Sequence, residues 1–433
     1  MTTTMLLGSA KRNITPLHTV PLAGYAHRSG YFERVAHPLY LRIMVLRTVA
    51  SPTDVSDAIL VSADLIWWGA KMTARCLSAI EARFGVPASS VILSATHTHS
   101  GPQTSEGFVS SLGEPDQRYL ADLEQSLLLG IEQAYLDLET VTLKRGIGHC
   151  SMGVHRRKIV DGKVEMLPNE VIPVDDRIHV VQFSTTAGDT KAVLSHYACH
   201  PTTTDRNEVS SEFPGVAMEM LEQRLGAGVT SFYLQGCCGD VRPMLVRDGE
   251  FYRGDDTDVV RLGEQLAIAI ERVLDHGMRK IVPCSLFSRS LTVELPLQQM
   301  PSISQLRESL QEEGVKAEWA RLLLDVPSRM RPTVALRMNR IQLAEGLALL
   351  AMNGEIVSTY GFYVREHWGD DMLPIAYCNG MIGYIPSSAQ IAEGGYEADE
   401  SHYYFGVPSV YDCSVEERIK QAIKALAGRE QGS

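Results

Sequence analysis

Val91-Ile92-Leu93-Ser94-Ala95-Thr96-His97-Thr98-His99-Ser100-Gly101-Pro102 decides how this chain is read. Its first half is a short apolar run of buried-strand character, and Ser100-Gly101-Pro102 forces a turn straight after it. Side chains alternate along a strand, so His97 and His99 are expected to point to one side, at the C-terminal lip where open α/β sheets hold their ligands. Taken in isolation, a pair of this kind reads more readily as two hydrogen-bonded packing histidines. Only further metal-type ligands at the same rim decide between the two.

Working outward, residues 39–49 and 58–64 read as strands, the first alternating Leu41, Ile43 and Val45 against Tyr40, Arg42 and Met44, the second nearly all apolar. Between them and the histidines, Met72, Cys76, Ile80 and Phe84 recur at helical spacing and stop at Gly85-Val86-Pro87, which completes a βαβ unit. A second amphipathic helix is expected over 116–135, with Leu120, Leu123, Leu127 and Ile131 on one face and Asp116 as its cap. Further strands are expected at 177–183, 192–200, 231–235, 285–295, 343–352 and 373–378, and further helices at 215–225, 258–274 and 414–428. The pattern describes an α/β fold with a mixed sheet flanked by helices. Asp64, His97, His200, the turn from Gly236 to Asp240, Glu355 and the loop from Asn379 to Tyr384 all fall just past strand ends, which suggests one shared rim.

Composition narrows the class. The 433 residues are 45% hydrophobic and 21% charged, enough for a large core, and no linker, repeat or low-complexity tract divides them. One domain over 1–433 is expected, with 297–332 as a helical excursion or a lid. A net charge of −12 excludes nucleic acid or an anionic membrane as the main partner and leaves a small-molecule substrate. The eight cysteines are scattered without a CxxC pair, which indicates neither a disulfide framework nor a thiolate zinc site and favours a reducing, cytoplasmic setting. The N-terminus lacks the basic and apolar regions of a secretion signal, and no run approaches bilayer length. Oligomeric state is not legible.

His200 closes another apolar run ahead of Pro201, which restricts its backbone to an extended form suited to a fixed ligand. His196 shares its parity but lies too far along the strand for the same site and reads as a packed histidine. Asn353-Gly354-Glu355 puts a carboxylate at a strand-to-helix turn. Asp64 reads either as a carboxylate orienting a ligand or as a structural one.

These motifs carry a resemblance. From Pro21-Leu22-Ala23-Gly24-Tyr25 to about Gly406 the chain resembles the catalytic part of the neutral, non-lysosomal ceramidases, zinc-dependent amidases, with Thr-His-Thr-His-Ser-Gly-Pro as the most specific match. The resemblance implies one zinc ion held by His97, His200, Glu355 and Tyr384, the last in Gly-Tyr-Ile-Pro. It implies His99 as the proton-transfer group, and Arg156 and Tyr396 as donors to the developing oxyanion. Imidazole nitrogen with hard oxygen ligands suits zinc and hydrolysis.

The chain also departs from the family. His155 stands where the family has an asparagine, and Arg242, in Gly239-Asp240-Val241-Arg242-Pro243, stands where it has a serine. A guanidinium in the pocket favours a small, polar or anionic substrate over the neutral head of a ceramide; the alternative is an arginine turned outward or tied to Asp240. No counterpart of the family's C-terminal immunoglobulin-like domain is expected after the 414–428 helix. Other readings stay open at this point: a ceramidase proper, an ester or lactone hydrolase, a thiol hydrolase using Cys237 or Cys238 with His200 or His99 as base, and a non-catalytic protein that holds zinc.

Overall fold

The structure is a computed structural model and describes residues 3–428. β1 (Thr4–Asn13), β2 (Tyr40–Ser51) and β3 (Asp54–Ala63) are successive antiparallel neighbours. Helix α1 (Ala70–Phe84) then returns the chain to β4 (Val91–Ala95), parallel to β3, which is the expected βαβ unit. Helix α2 (Gln117–Leu136) begins as anticipated on Asp116, whose carboxylate accepts the Tyr119 N–H at 2.7 Å. Next come β5 (Glu139–His149), the hairpin of β6 (Gly153–Val160) and β7 (Lys163–Asn169), β8 (Arg177–Thr185) and β9 (Thr190–Tyr197). Helix α3 (Glu212–Leu225), β10 (Thr230–Gln235), β11 (Val241–Pro243), helix α4 (Asp256–Asp275) and β12 (Arg279–Ile281) follow. The main mixed sheet runs β10-β9-β8-β5-β1-β2-β3-β4, with β12 on β5.

A second sheet is built from the C-terminal part. β13 (Pro283–Pro296), helices α5 (Ile303–Ser309) and α6 (Val315–Asp325), β14 (Thr333–Ala344) and β15 (Leu347–Met352) lead to the short β16 (Glu355–Ile356), helix α7 (Ser358–Trp368), β17 (Met372–Ile375) and β18 (Tyr384–Ile385). Its order is β13-β14-β15-β17, with β15 and β17 parallel. The expected single strand over 343–352 is two strands, because Glu345-Gly346 turns the chain back and β14 pairs with β15. An unbroken apolar run on both sides of that turn hides it from a periodicity reading.

Alternation assigns the faces. Met44, Leu60, Ile92 and Leu194 face Ile341, Leu343, Leu349 and Ile375, so the two sheets pack on each other. On the outer face Ile43, Val61 and Leu93 meet Met72, Ile80, Leu123 and Ile131 of α1 and α2. Ile178, Val193 and Tyr233 meet Phe213, Leu221, Leu266 and Ile270 of α3 and α4. Helices thus cover the main sheet on one side and the second sheet on the other.

The segment 376–379 stitches the two sheets at the rim. Ala376 N–H donates to Gln235 O at 3.0 Å and Tyr377 O accepts from Ala95 N–H at 3.1 Å, both on the main sheet. Tyr377 N–H donates to Gly354 O at 3.1 Å, on the second. Tyr377 and Asn379 take left-handed backbones (φ 58° and 51°) to do so. Residues from the ends of β4, β9, β10, β15 and β17 are thereby brought to one place.

Candidate metal centre and its chamber

The tandem histidines meet, but not by strand alternation. β4 stops at Ala95, and His97 takes a left-handed backbone (φ 69°) that swings its ring across the end of the sheet. Its Nε2 lies 2.9 Å from His200 Nε2 and 3.1 Å from His99 Nε2. His200 likewise sits past its strand, which ends at Tyr197, with its N–H on Val241 O at 3.2 Å.

Each ring is fixed through its other nitrogen. His97 Nδ1 lies 2.7 Å from Ile66 O, His99 Nδ1 3.1 Å from Gly24 O and His200 Nδ1 3.2 Å from Cys238 O. A carbonyl only accepts, so each Nδ1 carries a proton, and in the neutral ring Nε2 is then the nitrogen that presents a lone pair. Burial and the neighbouring His97 push both His99 and His200 well below the ordinary histidine range, which keeps them neutral. Three buried lone pairs aimed at one another repel unless a cation lies among them.

Glu355 completes that argument. Its Oε2 is 3.3 Å from His97 Nε2 and 3.6 Å from His200 Nε2, and this buried oxygen has no hydrogen-bond partner. Tyr384 pairs with Glu355 in register between β18 and β16. The donor set of imidazole nitrogens and hard oxygens fits a divalent cation of the zinc type. The three histidines form a cluster able to hold a metal ion, with His99, expected beside the metal, among them.

The sequence-derived donors stand around the same chamber, a cavity of about 370 Å³ bordered by His99, His200, Arg156, Tyr384, Tyr396 and Arg242. Arg156 Nε donates to Glu397 Oε1 at 2.7 Å, while the adjacent Arg157 donates to Glu397 Oε2 at 2.6 Å. Burial opposes the Arg156 charge, but Tyr384 and Glu397 more than offset it and hold the group firmly protonated. The Arg156 guanidinium carbon lies 5.4 Å from the Tyr384 ring and 5.6 Å from the Tyr396 ring. Burial drives both phenols above the ordinary tyrosine range, so each carries its proton.

Arg242 is 5% exposed and faces this cavity, and it makes no ion pair among the described residues. The anticipated alternatives therefore fail: the arginine is not turned outward, and Asp240 is engaged by Ser358 N–H at 2.7 Å, Gln390 Nε2 at 2.8 Å and His155 Nε2 at 3.3 Å. Asp64 lies away from the cluster. It accepts from Arg42 Nη1 at 3.1 Å and Tyr40 N–H at 3.0 Å, which makes it a structural carboxylate. His196 is a packed histidine, as read, bound to Pro374 O at 2.8 Å. Cys237 and Cys238 are buried, and burial pushes both thiols well up, which leaves them protonated and unsuited to nucleophilic attack.

Several participants carried no sequence signal. The Tyr377 ring stacks on His97 at 4.0 Å between centroids. Glu397 anchors two arginines, and Arg253 and Thr202 border the chamber from loops. Gly24, in the matched motif, has φ +105°, and a Cβ there would lie 2.6 Å from His99 Nδ1. Only glycine lets the chain pass so close to the imidazole.

The family profile described as neutral/alkaline non-lysosomal ceramidase, N-terminal, matches residues 5–248. Among solved structures, neutral ceramidase from Pseudomonas aeruginosa is 18% identical with a TM-score of 0.76, over 98% of this chain and 74% of that one. A ceramidase complexed with C2 is 16% identical with a TM-score of 0.76, over 98% and 75%. These likenesses establish a shared fold.

Proposed function

The chain belongs to the neutral/alkaline non-lysosomal ceramidase family, which makes it a hydrolase, and from that premise we propose that it is a zinc-dependent amidase acting on a small polar or anionic N-acyl compound rather than on ceramide. The observation that carries the reading is the convergence of three imidazole Nε2 atoms with the unpartnered Glu355 Oε2. His97, His200, Glu355 and Tyr384 are assigned to one zinc ion, which when bound supplies Lewis acidity and brings the pKa of water to roughly 7.

The side chains divide the remaining work. His99 has one basic position, Nε2, since Nδ1–H is held by Gly24 O. It takes the proton of the attacking water there and returns it to the leaving nitrogen. Arg156, oriented by Glu397, and the protonated phenol of Tyr396 donate to the carbonyl oxygen as it gains charge. Arg242 binds the polar or anionic part of the substrate. The size of the chamber also favours a compact ligand, because about 370 Å³ is at the lower end of pockets for small molecules, roughly 300–1,000 Å³. A cytoplasmic location is part of the reading, supported by eight cysteines that form no disulfide with one another. No helix among the described residues is long and apolar enough to cross a membrane.

Elemental analysis of purified protein should find one zinc per chain, lost in His97→Ala and Glu355→Ala. A panel of N-acyl amides should be hydrolysed by the zinc form, with activity lost on chelation, restored by zinc and indifferent to thiol alkylation. Tyr396→Phe should lower kcat by about 100- to 1,000-fold with metal content unchanged. Full turnover by metal-stripped protein, or inactivation by alkylation alone, overturns the reading.

A further inference from the structure

One wall of the chamber has a composition that amide hydrolysis itself does not require. Arg242, Arg253 and Thr202 border the cavity together with Tyr25, and no Asp or Glu side chain is among its lining residues. Arg242 Nε and Thr202 Oγ1 are both buried with no hydrogen-bond partner, and each residue is only 5% exposed. A buried guanidinium nitrogen and a buried hydroxyl left unsatisfied cost free energy unless a ligand accepts from them.

The surroundings make the charge balance worse. Burial and the like charges of Arg253 and Arg156 push the Arg242 guanidinium down to about 10, still charged at neutral pH. The Arg242 plane rests 4.3 Å from the Phe251 ring, which holds it in place without neutralising it. Arg253 is tied at the mouth: its Nη1 donates to Tyr25 Oη at 2.9 Å and Thr202 O at 3.4 Å, and among the described residues the one carboxylate within ion-pair reach, Asp205, stands 3.9 Å from Nε. Tyr25 in turn packs on His99, with ring centroids 5.0 Å apart. This wall is therefore contiguous with the proton-transfer group.

We propose that Arg242, Thr202 and Arg253 form a carboxylate-binding subsite, so that the amide cleaved here carries a free carboxylate close to the scissile bond, as an N-acyl amino acid does. The inference rests on the amidase reading above and names its substrate class. A planar carboxylate accepts two parallel N–H bonds from the Arg242 fork and has lone pairs left for the Thr202 hydroxyl. Arg253 at the mouth contributes charge to the entering anion. Arg156 is reserved for the carbonyl by its pairing with Glu397. Because the chamber holds both the histidines and the arginines within about 370 Å³, the two functional groups of the substrate are separated by only a few bonds. Leu112, Met166 and Tyr404, which have no other role here, provide the apolar wall for an acyl chain.

The test has two arms on the full chain. In the first, kcat/KM of the zinc enzyme is compared for matched N-acyl glycines and their uncharged glycinamides. The carboxylates should be preferred by 100-fold or more, and Arg242→Met and Thr202→Val should reduce that ratio by at least tenfold each. In the second, calorimetry follows N-acyl glycine binding to metal-free protein, and both substitutions should weaken it while far-ultraviolet circular dichroism stays unchanged. Hydrolysis of both series at similar kcat/KM, with the ratio unmoved by either substitution, overturns the carboxylate subsite and leaves the amidase intact. No turnover of either series despite Arg242-dependent binding overturns the amidase reading and with it the assigned substrate class. Should Arg242→Met not fold, Thr202→Val decides both arms, since a hydroxyl-to-methyl change keeps the shape of that wall.

Discussion

Tyr377 holds His97 from the side away from the chamber, with its ring stacked at 29° and its hydroxyl 3.3 Å from Cys238 Sγ. Cys238 O receives the His200 Nδ1–H, so one tyrosine braces both imidazoles, one by contact and one through a neighbour. Partners of this sort set ring orientation, and their loss typically weakens metal affinity by about 10–100-fold. Tyr377→Leu should therefore bind zinc that much less tightly in competition with a chromogenic chelator, whereas Tyr377→Phe, which keeps the ring, should stay within a few-fold. Equal effects of the two would assign the role to the hydroxyl instead. Tyr377 was invisible in the sequence because nothing in Ala376-Tyr377-Cys378 marks a left-handed backbone or a contact with a residue on a distant strand. The tandem histidines were legible for a reason that did not hold. Strand parity was expected to align them, yet they converge because His97 leaves the strand with a positive φ.

At the scale of elements, β8 and β9 pair with His179 opposite His196, and both imidazoles are buried. Burial, His196 and the cations Arg177 and Arg145 push His179 down to about 2, and burial likewise lowers His196. The unfolded chain protonates such a histidine near pH 6.5 while the folded one does not, so this contribution to stability is complete above that pH and is lost as pH falls below it. For His179 the cost is about 1.4 kcal/mol per pH unit, or about 2 kcal/mol at pH 5. Urea titrations of the metal-loaded protein should show the midpoint falling between pH 7 and 5, and His179→Gln should flatten that slope by about one proton. An unchanged slope would mean that His179 is protonated in the folded state. The strands and helices themselves were legible wherever one period dominated: α1 and α2 lie within a residue or two of their expected bounds. The turn between β14 and β15 and the hairpin of β6 and β7 were not, since in the first the two-residue turn Glu345-Gly346 is flanked closely on both sides by apolar residues. In the second, Arg156, Arg157 and Lys158 mask a strand with charge.

Across the whole molecule, the site exists because two sheets end at one rim, and sequence periodicity does not carry that information. The order of strands placed His97 and His200 at the end of the main sheet, but Glu355 and Tyr384 lie on the separate two-stranded pair β16-β18 that follows the second sheet, and only the family resemblance had linked the four. The same scale decides what 297–332 does. A lid must open at little free-energy cost, with few buried contacts and exposed backbone bonds. Here Leu306 and Leu323 are buried and Trp319 is 6% exposed, with its indole N–H on Val407 O at 2.8 Å. Glu318 accepts from Ser111 N–H at 2.9 Å and Ser110 Oγ at 3.0 Å, and Arg329 donates to Gly107 O. These bonds tie α6 and the turn after it to two loops, one bearing Leu112 and the other adjoining Tyr404, both of which line the chamber. We therefore assign the segment as a brace for the chamber wall. Trp319→Ala should cost about 3–5 kcal/mol in chemical denaturation. Hydrogen exchange of the α6 amides should be as slow as that of the core strands and unaltered by a bound N-acyl compound. Rapid exchange in the free protein that slows on ligand binding would instead make the segment a closing lid.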